Sequence, residues 1–359
     1  MTPPGTSRMP EERYISVVIP ARNGAATLDR CLRAAFAADY GRYEVVVVDD
    51  ASEDASAGII RSYPCKSVRL DRRGGVSRAR NAGAEASSGE LLFFTDADCL
   101  LERDALSIAN AAHGGRRDLV LGGTYTPLPF DTDFFSAFQS VFIHHFETRR
   151  AEPDYVATHA MVVDAELFRR SGGFRQDRFM GLAPSVEDVE LSHRLRRAGC
   201  RLAVEPRLRV RHVFRFSLRR SLGNAVRKAR HWTRYSLANR DVLADSGTAS
   251  LALKANVLAA GLLACLLSAS AALGSGWPLL AALPLLALDL AVSRGLIAAW
   301  FRHRGPLFGA KATLYYLTLY AAAVGIGAAA GTAEFLWSAP SLRGQRSCTV
   351  RSGTRGLSS

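Results

Sequence analysis

Asp96 and Asp98 stand one residue apart where an apolar run, Leu91 to Thr95, ends. Held at the carboxyl end of a buried strand, two such carboxylates repel each other and lose hydration, a cost that a cation between them relieves. Mg²⁺ and Mn²⁺ take oxygen ligands, and Mg²⁺ is usually held by one or two protein carboxylates together with substrate phosphates. Taken alone, such a pair is more often a helix cap or turn than a metal site. A second pair, Asp49-Asp50, follows another apolar run and precedes Ser52 and Asp54. One of its carboxylates could accept hydrogen bonds from a base N–H or from ribose hydroxyls; the pair could also shape a turn into a helix capped by Ser52.

The elements that must position these acids alternate along the chain. Ile15 to Ile19 is an apolar strand ended by Pro20, and Thr27 to Ala38 carries Leu28, Cys31, Leu32, Ala35 and Phe36 at helical spacing. Glu44 to Val48 is a continuous valine strand, suited to a parallel sheet buried on both faces. Ala55 to Tyr63 reads as helix, Ser67 to Leu70 as strand, Val76 to Ala86 as helix and Glu90 to Phe94 as strand. This is repeated βα organisation, an α/β fold, and such sheets bind ligands beyond the carboxyl ends of their strands. No G-x-G-x-x-G follows the first strand, which argues against a nicotinamide enzyme.

The chain has 359 residues, 48% of them hydrophobic, with a formal charge of +13. That is enough for about two domains. Short apolar runs alternate with charged stretches up to about Arg240, whereas Leu251 to Trp337 is rich in Ala, Leu and Gly. Three stretches, 255–274, 277–293 and 313–331, approach the ~20 residues needed to cross a bilayer. The second is the weakest, because it holds Pro284 and Asp289 and ends near Arg294. Met1 to Arg13 has no secretory-signal pattern, so the first domain is expected in the cytoplasm, on a multi-pass inner-membrane protein. Arg and Lys crowd Pro206 to Arg240 without an Asp or Glu. Directly before a membrane segment, this stretch reads as an interfacial helix on anionic lipid rather than as a nucleic-acid surface. The basic residues beside the first and second stretches fit the cytoplasmic side, but three full crossings would put Arg343, Arg346, Arg351 and Arg355 outside. Six cysteines show no CxxC pair and no zinc spacing, as expected of a reducing compartment.

Taken in order, Ser16 to Asn23, Val48 to Asp54, Ser77 to Gly83 and Gly89 to Asp98 resemble the successive blocks of family 2 glycosyltransferases of the GT-A fold. The resemblance covers about residues 14–215 and implies a mixed, mostly parallel central sheet with flanking helices. It divides the chain into an N-terminal tail, 1–13, a catalytic domain, 14–215, a basic interfacial segment, 216–250, a membrane region, 251–335, and a polar tail, 336–359. It also implies a nucleotide-diphospho-sugar donor, UDP- or GDP-linked, a hydroxyl acceptor and a divalent metal, Mg²⁺ or Mn²⁺. Pro20, Arg22 and Asn23 would line the nucleotide pocket, Asp49 or Asp50 would contact base or ribose, and Arg78 and Arg80 would lie near the nucleotide. Asp98 would ligate the metal and Asp96 would face the ribose or the metal.

The block Ser185 to Leu195 looks like the family's acidic motif, preceded by Gly172-Gly173-Phe174 and by Gly181-Leu182-Ala183-Pro184. The resemblance makes Asp188 the base that takes the acceptor proton, with Glu187 the alternative. A helix N-terminus would favour the same acids without any chemistry. By the same resemblance His212 would be a further metal or diphosphate ligand, although a lone His in a strand-like run is more often structural. Processive relatives carry Gln-x-x-Arg-Trp after the acidic motif; here the region reads Arg227-Lys228-Ala229-Arg230-His231-Trp232. Transfer of one sugar to a lipid-linked or envelope-polysaccharide acceptor is therefore expected. The alternative is a non-catalytic membrane-bound scaffold that binds sugar nucleotides for a polysaccharide assembly complex.

Overall fold

The computed structural model describes residues 11–176 and 186–349. The expected glycine- and proline-containing approach to the acidic motif, Gly181 to Ser185, lies outside them, as do most of the N-terminal tail and the last residues of the chain.

The chain first alternates strand and helix: β1 (Ile15–Ala21), α1 (Leu28–Phe36), β2 (Tyr43–Asp49), α2 (Ser56–Arg61), β3 (Lys66–Arg69), α3 (Val76–Ala86) and β4 (Leu91–Phe94). β1 lies between β2 and β4, all parallel, with Ile15 opposite Tyr43 and Ala21 opposite Asp49. Val45 to Val48 are buried, as a run without alternation requires. α3 sits close on this layer because Gly83 has no Cβ, which would collide with Val18. Beyond β4 come β5 (Cys99–Leu101), α4 (Ala105–His113), β6 (Leu119–Tyr125), α5 (Phe134–Thr148), β7 (Met161–Asp164), α6 (Ala165–Arg170), α7 (Glu187–Arg197) and β8 (Arg201–His212). The 8-stranded sheet has the order β3-β2-β1-β4-β7-β6-β8-β5. β7 runs antiparallel to both β4 and β6, and β5 antiparallel to β8. The expected mixed, mostly parallel sheet with flanking helices is what forms.

The rest of the chain is helical: α8 (Leu218–Asn239), α9 (Leu251–Leu273), α10 (Trp277–Leu280), α11 (Ala282–Arg304), α12 (Pro306–Tyr315), a π-helical turn at Tyr316–Tyr320, and α13 (Ala321–Thr349). Three helices, Leu251–Leu273, Ala282–Arg304 and Pro306–Trp337, are long and apolar enough to cross a membrane. The second apolar segment starts later than expected and runs ten residues past Arg294. Pro284 is tolerated in its first turn, and Asp289 is buried on its own helix against Ser293, with 3.5 Å between Oδ1 and Oγ. The third begins before residue 313 because Pro306 opens a helix at once.

Candidate active site

The acids meet at one end of the sheet. β1 and β2 stop there together, the Asp50 N–H donating to the Ala21 carbonyl at 2.8 Å. Pro20 is the last residue but one of β1, opposite Val48. Arg22 and Asn23 fasten the loop after β1 to the loop after β2. The Arg22 guanidinium donates to the carbonyls of Asp50 and Ala51, both at 2.9 Å, and Asn23 accepts from the Glu53 N–H at 2.9 Å. Asn23 and Ala51 both have positive φ, 47° and 53°, so these loops are tightly folded. Asp50 accepts from the N–H groups of Gly74, at 2.5 Å, and Gly75, at 2.9 Å, and so holds the loop ahead of α3. Asp49 is buried, accepts from the Ser52 N–H at 2.8 Å, and keeps an Oδ2 without a hydrogen bond, 3.6 Å from Arg69. Of the two acids after β2, Asp49 is therefore the one with a free acceptor. Arg78, on α3, has no hydrogen bond or ion pair among the described residues.

Arg80 is engaged differently from what the sequence suggested. Only 3% of its side chain is exposed, and it joins the two acidic motifs by donating to Asp96 Oδ1 at 2.7 Å and to Glu187 Oε1 at 2.8 Å. The Phe174 ring lies 5.5 Å from the guanidinium carbon. Burial works against the Asp96 anion, but the Arg80 charge and hydrogen bond overcome it and hold the carboxyl below its usual range. Truncating an ion pair this buried exposes the energetics of unpaired charge, which is why Arg80 organises both motifs.

That leaves Asp98 and Asp188. Asp98 Oδ2 lies 3.4 Å from His212 Nε2, and its Oδ1 lies 3.8 Å from Cys99 Sγ. The donor atoms of Asp98, Cys99 and His212 all fall within 4.8 Å of one another. Burial, and then the charge of Asp96, push Asp98 up to about 7, while burial pushes His212 down to about 3 and leaves a neutral imidazole. A carboxylate whose charge is unrelieved beside a neutral imidazole is the donor set a divalent cation would satisfy. The nitrogen suits Mn²⁺ better than Mg²⁺. Cys99 is fully buried and supplies a third nearby donor.

Asp188 opens α7. Its Oδ1 accepts from the Val189 N–H at 2.8 Å, and its Oδ2 has no hydrogen-bond partner among the described residues. Burial, then the neighbouring Glu187 charge, push it up to about 7 against the pull of Arg80. His159 and Lys228 lie within electrostatic reach of it, and Glu147 pairs with His159. His159, in a 3-10 turn Thr158–Ala160, has its Nε2 3.3 Å from Glu147 Oε2 and its ring stacked on Tyr125 at 4.0 Å. Burial disfavours its charged form, but Glu147, with help from Asp96 and Asp188, raises its pKa. Lys228 of α8 lies within electrostatic reach of Asp188, Glu147 and Asp96. No spacing in the sequence singles out His159. Glu147, inside an apolar helix, had only its isolation.

An 8-stranded sheet of this order, with an acid pair just beyond β4, defines a GT-A-like domain, here followed by long apolar helices. Residues 16–172 match glycosyl transferase family 2, and the chain carries a domain of that family. It is similar to the glycosyltransferase AglE of Haloferax volcanii, 39% identical over 101 residues, covering 26% of this chain and 32% of that protein. The succinoglycan biosynthesis protein ExoO of Rhizobium meliloti is 37% identical over 109 residues, 30% of each chain. The matches thus span about a third of the length of these curated relatives. A mannosyltransferase of Pyrobaculum calidifontis, solved with GDP-mannose and Mn²⁺, shares the fold at a TM-score of 0.55 and 20% identity, over 91% of this chain and 88% of that one.

Proposed function

We propose that the protein transfers one sugar, with inversion, from a nucleotide-diphospho-sugar to a hydroxyl acceptor carried on a lipid or an envelope-polysaccharide intermediate, at the cytoplasmic face of the membrane. One observation carries this reading: Arg80 neutralises one acid of each motif, Asp96 and Glu187, and leaves Asp98 and Asp188 as carboxylates with work to do. Asp49, with its free buried oxygen, receives base or ribose. Pro20, Arg22, Asn23 and Asp50 shape the loops around the nucleotide, and Arg78 is the cation available to a phosphate. Asp98 and His212, with Asp96 behind them, would hold a divalent metal, which supplies charge stabilisation to a departing diphosphate.

Inversion is a single displacement. The acceptor oxygen attacks the anomeric carbon on the face opposite the diphosphate, and its proton passes to a carboxylate as the bond forms. Asp188 Oδ2 is the acceptor of that proton; Glu187 is held by Arg80 and serves to keep α7 in register with the metal-binding motif. The donor proposed is UDP- or GDP-linked, the class held by the Pyrobaculum mannosyltransferase. A succinoglycan-related function in one relative agrees with an envelope-polysaccharide acceptor.

Membranes containing the full chain, incubated with radiolabelled UDP- and GDP-sugars and Mn²⁺, are expected to yield a labelled lipid fraction whose anomeric linkage is opposite to that of the donor. Retained configuration would remove the single-displacement mechanism. Donor hydrolysis without any labelled acceptor would remove the acceptor assignment.

A further inference from the structure

The helical segment Pro306–Trp337 satisfies the length and apolarity of a membrane span, yet the structure gives one of its faces to the catalytic unit along most of its length. Phe308 packs on Phe134 of α5 with ring centroids 5.2 Å apart, and Tyr320 packs on Phe138 at 5.1 Å. Tyr315 donates its hydroxyl to Ser221 of α8 at 2.9 Å. Gly327 and Gly331 then bring α13 against the α8 backbone at Val226 and Arg230. One turn further, Glu334 pairs with Arg230 and, at 3.3 Å, with Arg234. These last pairings advance together along both helices, so α8 and α13 run side by side in the same direction rather than crossing.

α8 cannot enter hydrocarbon, because it carries Arg219, Arg220, Arg227, Lys228, Arg230 and Arg234 along its length. A helix laid parallel to it and touching its backbone stays at the same depth. The opposite face of the segment is mostly apolar, with the exposed Lys311 between Leu307 and Leu314: Leu307, Leu314, Leu319, Ile326, Leu336 and Trp337 are each at least half exposed. Apolar residues on one side, with an Arg-rich helix alongside, match the boundary between acyl chains and anionic headgroups.

We infer that Pro306–Trp337 is an interfacial rod, lying in the membrane surface beside α8, and that it does not cross. Its occupant is the lipid surface itself. The chain then ends on the side of the catalytic domain, which is where Arg343, Arg346, Arg351 and Arg355 belong by the bias of positive residues toward the cytoplasm. This inference rests on the proposed membrane location.

The test uses the full-length protein in sealed vesicles with epitopes at both termini. Depth-dependent fluorescence quenching is added at Leu319→Cys and Ile326→Cys in a Cys265→Ser, Cys348→Ser background. Both epitopes are expected to be cleaved by protease from the same side, with both labels at headgroup depth. A C-terminal epitope on the opposite side overturns the inference, as does a same-side epitope with labels near the bilayer centre. Release of the protein by alkaline carbonate would instead sink the membrane location, and this inference with it.

Discussion

The two acidic motifs are built alike and end in different chemistry. Each offers two carboxylates; in each, Arg80 takes one, and the other is driven up to about 7 by burial and by the charge of its neighbour. What surrounds the second carboxylate separates them. Asp98 faces a neutral imidazole and a thiol, atoms that bind metal and do not accept its proton usefully. Asp188 accepts from its own Val189 N–H and keeps one oxygen without a hydrogen bond among the described residues, with His159 and Lys228 within electrostatic reach. On the proposed reading, the raised carboxyl beside ligand atoms holds a cation and the one with free acceptor capacity serves as the base. One buried arginine thereby prevents two adjacent acid pairs from becoming interchangeable.

The sharpest way to break the comparison is to remove the open carboxylate. Asp188→Asn is expected to lower kcat by ~10²- to 10⁴-fold, the usual contribution of a positioned base, while donor binding measured by calorimetry stays within a factor of about two. Full activity would reassign the base. Arg80→Met should act on both motifs together, costing about 3 kcal/mol of stability by leaving the nearly buried Glu187 and Asp96, 33% exposed, without their shared partner. A melting temperature unchanged by that substitution would mean the bridge is not what organises the site. Asp98→Asn should leave the fold intact and weaken Mn²⁺-dependent donor binding by about 10- to 100-fold. If it leaves metal dependence untouched, the two motifs do not divide the labour as described.

Much of this was legible in the residues because it is local. The valine run of β2 marks a doubly buried strand, and β1, β2, β3 and β4 fall within two residues of their expected ends. Asp98 and His212 lie together, since β5 pairs with β8 and sets Cys99 opposite His212. The two ion pairs of Arg80 were not legible because its partners come from elsewhere. Glu187 is 107 residues away, and no spacing rule connects an arginine on one helix with the first turn of another. The same holds for Glu147 and His159, whose meeting depends on how α5 packs over the sheet. The three apolar segments were legible, whereas the face that Pro306–Trp337 packs against protein was not. Hydropathy measures what a helix could bury in lipid, and it is blind to a face already buried in protein.

The smallest expected effect is the most specific to Asp188. Its folded pKa of about 7 lies above the ordinary carboxylate value, and the reactive form is the anion. Transfer should therefore fall as pH drops through 7, by about tenfold per unit below it, and be flat above it. The groups facing this carboxyl are Glu187 on its own helix, Arg80 on α3, His159 in the 3-10 turn, Tyr155, and Lys228 on α8. Arg80 and Lys228 favour the anion, and Glu187 opposes it. Removing the Lys228 charge should then shift the acid limb to higher pH without altering the plateau. Lys228→Met tests this with a kcat profile between pH 5.5 and 9. A limb that stays in place, or moves to lower pH, would mean that Asp188 is not the group whose ionisation is being read.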